Sequence, residues 1–122
     1  MSVGPSKVVS VWELQSVPMA AADTNSGTPG GAATVQYAAS PGNSHTISGI
    51  AWSYGSAPTG GNLLIQDGAT TIFNMDITAA GPGVIVFPRP KKGTPGNALT
   101  VTLAGGGGSI QARLNVLDHW TE

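Results

Sequence analysis

Apolar and polar residues alternate with a period of two along most of this chain, the spacing of β-strands and not of helices. The C-terminal run is the plainest. Ile110, Ala112, Leu114 and Val116 fall on one face, with Gln111, Arg113 and Asn115 on the other. Leu99, Val101 and Leu103 alternate with Thr100 and Thr102, and Phe73, Met75 and Ile77 alternate with Asn74 and Asp76. Each segment reads as a strand with one buried and one wet face. Eight strands are predicted on this basis, over about 7–14, 33–38, 45–54, 62–66, 70–77, 83–87, 98–103 and 109–117.

Between the strands sit closely spaced turn signals. Asp67-Gly68 reads as a two-residue hairpin of type I′, and Pro41-Gly42-Asn43, residues 57–61, Gly81-Pro82-Gly83 and Gly105 to Gly108 punctuate the rest. Two stretches are near copies: "GTPGGAATVQYA" at 27–38 and "GTPGNALTVTLA" at 93–104 agree at eight of twelve positions. In both, Thr-Pro-Gly suits a type II turn, with Pro where φ is near −65° and Gly where φ is positive. The flanks differ, so the pair is one turn-and-strand entry used twice.

The fold class that follows is all-β: an antiparallel β-sandwich of about eight strands in a single domain spanning 1–122. The jelly roll is the favoured version, and in it the second and seventh strands are antiparallel neighbours. Residues 1–6 are expected to form a short N-terminal arm. Residues 16–32 are expected to be a long connection without regular structure, so that deleting 1–6 or 18–30 should leave the β-sheet intact.

Composition sharpens this picture. Five Lys/Arg and six Asp/Glu among 122 residues give a net charge of −1, and 18 Gly with 9 Pro disfavour helical architectures. The apolar share of 40% rules against disorder, which goes with low hydrophobicity and high charge. Five cations cannot neutralise many phosphates, so nucleic acid is not an expected partner. No run approaches the ~18 apolar residues of a membrane span, and no secretory signal is visible at the start. A surface so poor in charge lacks the repulsion that keeps free monomers apart, which points to assembly with sister copies.

Chemistry is sparse. Without cysteine there are no disulfides or thiolate metal sites. His45 and His119 would need Asp76 or Asp118 beside them to hold a metal, and adjacent Asp118 and His119 point to opposite faces of a strand. The run Gly105 to Gly108 lacks the Lys-Ser/Thr ending of a phosphate loop, and no Gly-x-Ser-x-Gly nucleophile elbow is present. The expectation is therefore no catalytic residue, no cofactor and no metal. Trp52 and Tyr54 share a face with Ile50 and read as core.

Contact candidates remain. Trp12 and Trp120 lie near the chain ends, where amphipathic rings serve interfaces. Pro18, Met19, Asp23 and Asn25 belong to the long 16–32 connection. Arg89, Lys91 and Lys92 sit in "FPRPKKGTPG", where Pro88, Pro90 and Pro95 stiffen a basic loop over about 88–96.

From Ile47 onward the sequence "ISGIAWSYGSAPTGGNLLIQDGATTIFNMDITAAGPGVIVF", followed by "GTPGNALTVTLAGGGG", resembles small glycine-rich virion structural proteins of tailed bacteriophages. The resemblance covers roughly residues 45–117 and rests on the Trp-Ser-Tyr strand, the Pro-Thr-Gly-Gly turn, the Asp-Gly hairpin and the Gly-x-x-Gly-Asn-Ala-Leu strand entry. It implies a β-sandwich of decoration, cement or fibre type, often trimeric, and transfers no catalytic residue. The expected function is a non-enzymatic virion component, foremost a capsid decoration protein. Its partners would be the major capsid protein or another virion protein, together with sister copies, and its place the virion assembled in the host cytoplasm. A tail or head-fibre module binding host glycans through exposed aromatics is the alternative.

Overall fold

The computed structural model describes residues 23–42 and 44–121, all strand, turn and loop apart from a single helical turn residue at Asp23. Eight strands form: β1 (Thr24–Ser26), β2 (Ala33–Tyr37), β3 (Ser44–Tyr54), β4 (Gly61–Asp67), β5 (Thr70–Ile77), β6 (Gly81–Lys92), β7 (Leu99–Leu103) and β8 (Ala112–Thr121). They build two four-stranded sheets, ordered β1-β8-β3-β6 and β2-β7-β4-β5, in which every neighbouring pair is antiparallel. The chain changes sheet at every connection except the β4–β5 hairpin, which is the double Greek key of a jelly roll.

The alternating residues do what their period requires. Ala33, Val35, Leu63, Ile65, Leu99, Val101, Leu103, Ala112, Leu114 and Val116 face inward and are buried together with Ile47, Ile50 and Tyr54. The second and seventh strands are neighbours, with Ala33 opposite Leu103 and Tyr37 opposite Leu99. The two Thr-Pro-Gly turns therefore lie at opposite ends of one antiparallel pair. Both close as type II turns: Gly31 N donates to Thr28 O at 2.7 Å with Gly30 at φ 81°, and Asn97 N donates to Thr94 O at 3.0 Å with Gly96 at φ 85°.

Four expectations change. The strand over 7–14 lies outside the described residues, and the first place in the jelly roll is taken instead by Thr24–Ser26, inside the stretch read as an unstructured connection. These three residues are polar and exposed, so no periodicity marks them; pairing with Arg113 to Asn115 of β8 makes them a strand. Deleting 18–30 would thus remove β1. The basic stretch 88–92 belongs to β6, not to a loop. The β4–β5 hairpin turns one residue later than expected: Asp67 pairs with Thr70, and of the central pair Gly68-Ala69 only Gly68 has positive φ, the pattern of a type II′ turn.

The two crossings at one end of the sandwich run against each other, main chain on main chain. Gly27 N donates to Ala112 O and Gly30 N to Ile110 O, each at 2.9 Å, and the Gln111 amide donates to Gly27 O. The run Gly105 to Gly108, read from sequence as a turn, is held from several sides. Thr59 N donates to Gly106 O at 2.8 Å, Ala104 N to Asn62 O at 2.8 Å and the buried Tyr54 hydroxyl to Ala104 O at 2.6 Å. A Cβ at Gly30 would collide with Gly108 O, and one at Gly105 with Gly30 O.

Gly30→Ala is accordingly expected to destabilise by ~3 kcal/mol, from an unfavourable positive φ together with a backbone clash. Gly55→Ala at the same end, where a Cβ meets nothing closer than Gln111 N at 3.8 Å, should change stability by less than ~0.5 kcal/mol. Urea unfolding of the two variants checks the contrast.

Candidate functional site

Three of the four described cations, Arg89, Lys91 and Lys92, lie on β6. This strand pairs with β3 from Gly81, opposite Tyr54, to Val86, opposite Gly49, and the ladder resumes only at Lys91, opposite Ile47. Phe87 to Pro90 bulge out between. Pro88 and Pro90 have no N–H to offer a ladder, which is the local reason for the break. Phe87 anchors the base of the bulge: it is buried and meets Phe73 edge to face, with centroids 5.1 Å apart. Lys91 Nζ sits 5.6 Å above the same ring. Arg89 and Lys92 are exposed. The result is a proline-stiffened basic rib on the outermost strand of its sheet.

The loop after the rib is fixed by Asp67. Its carboxylate accepts from Thr94 N at 3.0 Å, Thr94 Oγ1 at 2.7 Å and Asn97 Nδ2 at 3.2 Å, while Gly93 N donates to His45 O at 2.9 Å. These bonds to the ionised form, the Thr94 hydroxyl foremost, hold the Asp67 pKa below its ordinary 3.8. The shift of the hairpin by one residue is what places Asp67 outside the turn and within reach of this loop.

The other contact candidates scatter. Asp23 accepts from the Tyr37 hydroxyl at 2.5 Å and Asn25 Nδ2 donates to Thr34 O at 2.7 Å, so both side chains tie the β1 side of one sheet to β2 of the other. Trp12, Pro18 and Met19 lie outside the described residues. Trp120 is opposite His45 in the β3–β8 ladder. Trp52 and Tyr54 pack inward: a Cβ at Gly83 would fall within the Trp52 indole, so this glycine makes room for the ring. His45 is buried, its Nε2 2.9 Å from Ala38 O and its ring 5.3 Å from that of Tyr37.

Two surface features had no counterpart in the sequence reading. On the outer face of the β1-β8-β3-β6 sheet, Val84, Val86 and Leu117 are 71%, 65% and 50% exposed around a 140 Å³ depression. Among the described residues its lining includes Ala51 and Asn115 but no charged side chain. The signal was hidden because Gly83 to Phe87 is a continuous apolar run, which reads as a strand buried on both faces. A second hollow of 300 Å³, at the end of the other sheet, is lined by Pro58, Gly60, Gly61, Asn62, Asp76 and neighbours, with no aromatic ring among the described residues. Among the described residues, no three of His, Cys, Asp and Glu gather into a metal-holding group.

The sequence matches no family model and no curated protein. Solved structures with likeness to the chain include the following two. One is a carbohydrate-binding module, CBM36, in complex with calcium and xylotriose, at 13% identity, TM-score 0.40, covering 80% of this chain and 78% of that one. The other is an insecticidal delta-endotoxin, Cry8Ea1 from Bacillus thuringiensis, at 12% identity and TM-score 0.43; the match covers 75% of this chain and 19% of the toxin.

The Asp67 bonds set a pH dependence. Because the folded-state pKa is depressed, the stabilisation is present above about pH 4, where the unfolded carboxyl is ionised, and is lost as pH falls through the lower folded value. Asp67→Ala should lower stability by ~1 kcal/mol at pH 7, a figure kept small by the solvent around the group. The deficit relative to wild type should shrink as pH falls below about 4 and through the lower folded value, as read from urea midpoints across the range.

Proposed function

We propose that this protein is a non-enzymatic structural component of a phage virion, a decoration protein that docks on capsid subunits and stands beside sister copies. The observation that carries the proposal is the basic rib. Arg89 stands on a proline-stiffened bulge, with Lys91 and Lys92 on the strand just beyond it, in a molecule with only five Lys/Arg in all. The rib is presented by a sheet edge and followed by a loop pinned through Asp67, so little freedom is lost when it meets a surface.

The partner this geometry suits is an acidic, repetitive protein surface. Complementary charge at the rib sets orientation and on-rate, and symmetric repetition multiplies a weak single contact. The uncharged remainder of the surface can sit close to neighbours without stripping water from ions. The resemblance over residues 45–117 to tailed-phage virion proteins supports the same reading and favours a trimer.

Purified particles test it directly. Quantitative mass spectrometry is expected to find this chain in many copies per virion, and a protein absent from washed particles would end the proposal. With recombinant protein added back to undecorated particles, Arg89→Ala/Lys91→Ala/Lys92→Ala should bind about tenfold more weakly, at ~0.5 kcal/mol per exposed charge. Wild-type binding should fall as salt is raised and the triple variant's should respond less, with the β-type circular dichroism spectrum retained in both.

A further inference from the structure

A sheet whose last strand shows bare main chain is a template for another strand. Of the four outer strands, β1 is three polar residues long, β5 carries the exposed Asn74 and Asp76, and β2 has Thr34 O already taken by Asn25 Nδ2. β6 differs. Gly55 N donates to Gln111 O at 3.0 Å in continuation of the β3–β8 ladder, so Gly55, Ser53 and Ala51 turn their main chain to β8, while Tyr54, Trp52 and Ile50 turn theirs to β6. Their partners Gly81, Gly83 and Ile85 are thereby used, and Pro82, Val84 and Val86 face the side of the sheet where no described strand lies. Pro82 fits this placement, because an edge proline keeps its missing N–H away from the ladder.

We infer that residues 83–87 pair antiparallel with the same segment of a second copy, about a two-fold axis at Ile85 that sets Val84 opposite the partner's Val86. In this register the free N–H and C=O of Val84 and Val86 are all bonded in both copies, four bonds for the pair. The ladder then stops of itself: Pro82 brings no N–H at one end, and beyond Val86 the strand leaves its line as the 87–90 bulge. On the outer face the exposed Val84 and Val86 meet their counterparts and join the two apolar patches that Leu117 completes. On the inner side Ile85 lies opposite its own counterpart, beside the core it packs against.

Charge and size agree with a second copy. No charged side chain occurs over residues 81–87, so the contact strips water from no ion. Antiparallel pairing sets the two copies of Arg89 eight residues apart along the strands, ~26 Å, well beyond the reach of unscreened repulsion. At one hydrogen bond per 100–200 Å², four bonds correspond to about 400–800 Å² of buried surface, the scale of a weak and reversible contact. A two-fold contact closes at two copies, so a three-fold contact would use another surface. The pairing deepens the contact with sister copies proposed above, and its test needs only the isolated protein, so it can fail while attachment to a capsid holds, and the reverse.

Sedimentation equilibrium of the full-length chain is expected to show monomer at ~1 µM and dimer at ~1 mM. Val84→Pro deletes one free-edge N–H while leaving the β3–β6 bonds in place, and should weaken dimerisation at least tenfold with the circular dichroism spectrum unchanged. Because the chain has no cysteine, single-cysteine variants read the register. Under mild oxidation, a mixture of Val84→Cys and Val86→Cys chains should form disulfide-linked dimers at least tenfold faster than either variant alone. Opposed Cα atoms lie ~5.5 Å apart, within disulfide reach, whereas like positions lie roughly 8–9 Å apart, beyond it. A monomer at ~1 mM, an oligomer whose mass Val84→Pro leaves unchanged, or equal cross-linking in the mixed and single samples would overturn the pairing.

Discussion

The jelly roll depends on two crossings that touch. Residues 27–32 carry the chain from the first sheet to the second, residues 104–111 carry it back, and their main chains lie close enough that only hydrogen atoms fit between Gly30, Gly105 and Gly108. This proximity lets β1 sit on β8 while β2 sits on β7, so that both sheets are built from the same two chain segments. A side chain at Gly30 or Gly105 would push the crossings apart and with them the pairing on both sheets. The glycine content is thus a packing requirement at this end, and the hydrogen bonds from Thr59, Ala104 and Tyr54 turn a four-glycine run into a held strap.

At the opposite end a side chain does the corresponding work. Asp67 bonds the loop that follows the basic rib, and Gly93 N ties the same loop to His45 O on β3. The rib itself is stiff for a different reason: Pro88 and Pro90 leave the ladder because they lack N–H groups, and Phe87 plugs the bulge into the core edge against Phe73. Rigidity of the charged surface therefore comes from the core outward.

How much of this was legible follows from where the information lies. Strands β2, β4, β5, β7 and β8 have one buried face, so Leu99-x-Val101-x-Leu103 and Ala112-x-Leu114-x-Val116 announce themselves by period two. The Thr-Pro-Gly turns are local chemistry and were readable for that reason. β1 was not readable, because Thr24, Asn25 and Ser26 are exposed and owe their conformation to β8, far away in sequence. The end of β6 was hidden by its prolines, which signal a loop although Lys91 and Lys92 rejoin β3. Of the contact residues, the basic triad was visible as a cluster. The internal engagement of Asp23 and Asn25 was not, since it needs β1 and β2 to meet at the edges of two sheets.

The two outer faces show why covering one of them matters and covering the other does not. On the β2-β7-β4-β5 sheet the outward residues include Thr34, Gln36, Asn62, Asn74, Thr100 and Thr102, and some bond across strands: Gln36 Nε2 donates to the opposed Thr100 Oγ1 at 3.1 Å, and Asn62 Nδ2 reaches diagonally to Asn74 Oδ1. Such a face holds water through hydroxyls and amides without needing charge. The β1-β8-β3-β6 sheet presents valines and a leucine instead, with few charged side chains in the molecule to offset them. Burial of these side chains is favourable at ~25 cal/mol per Å² of apolar surface. In a chain this poor in charge, the first face is wetted by hydroxyls and amides, whereas the second leaves apolar surface in contact with water.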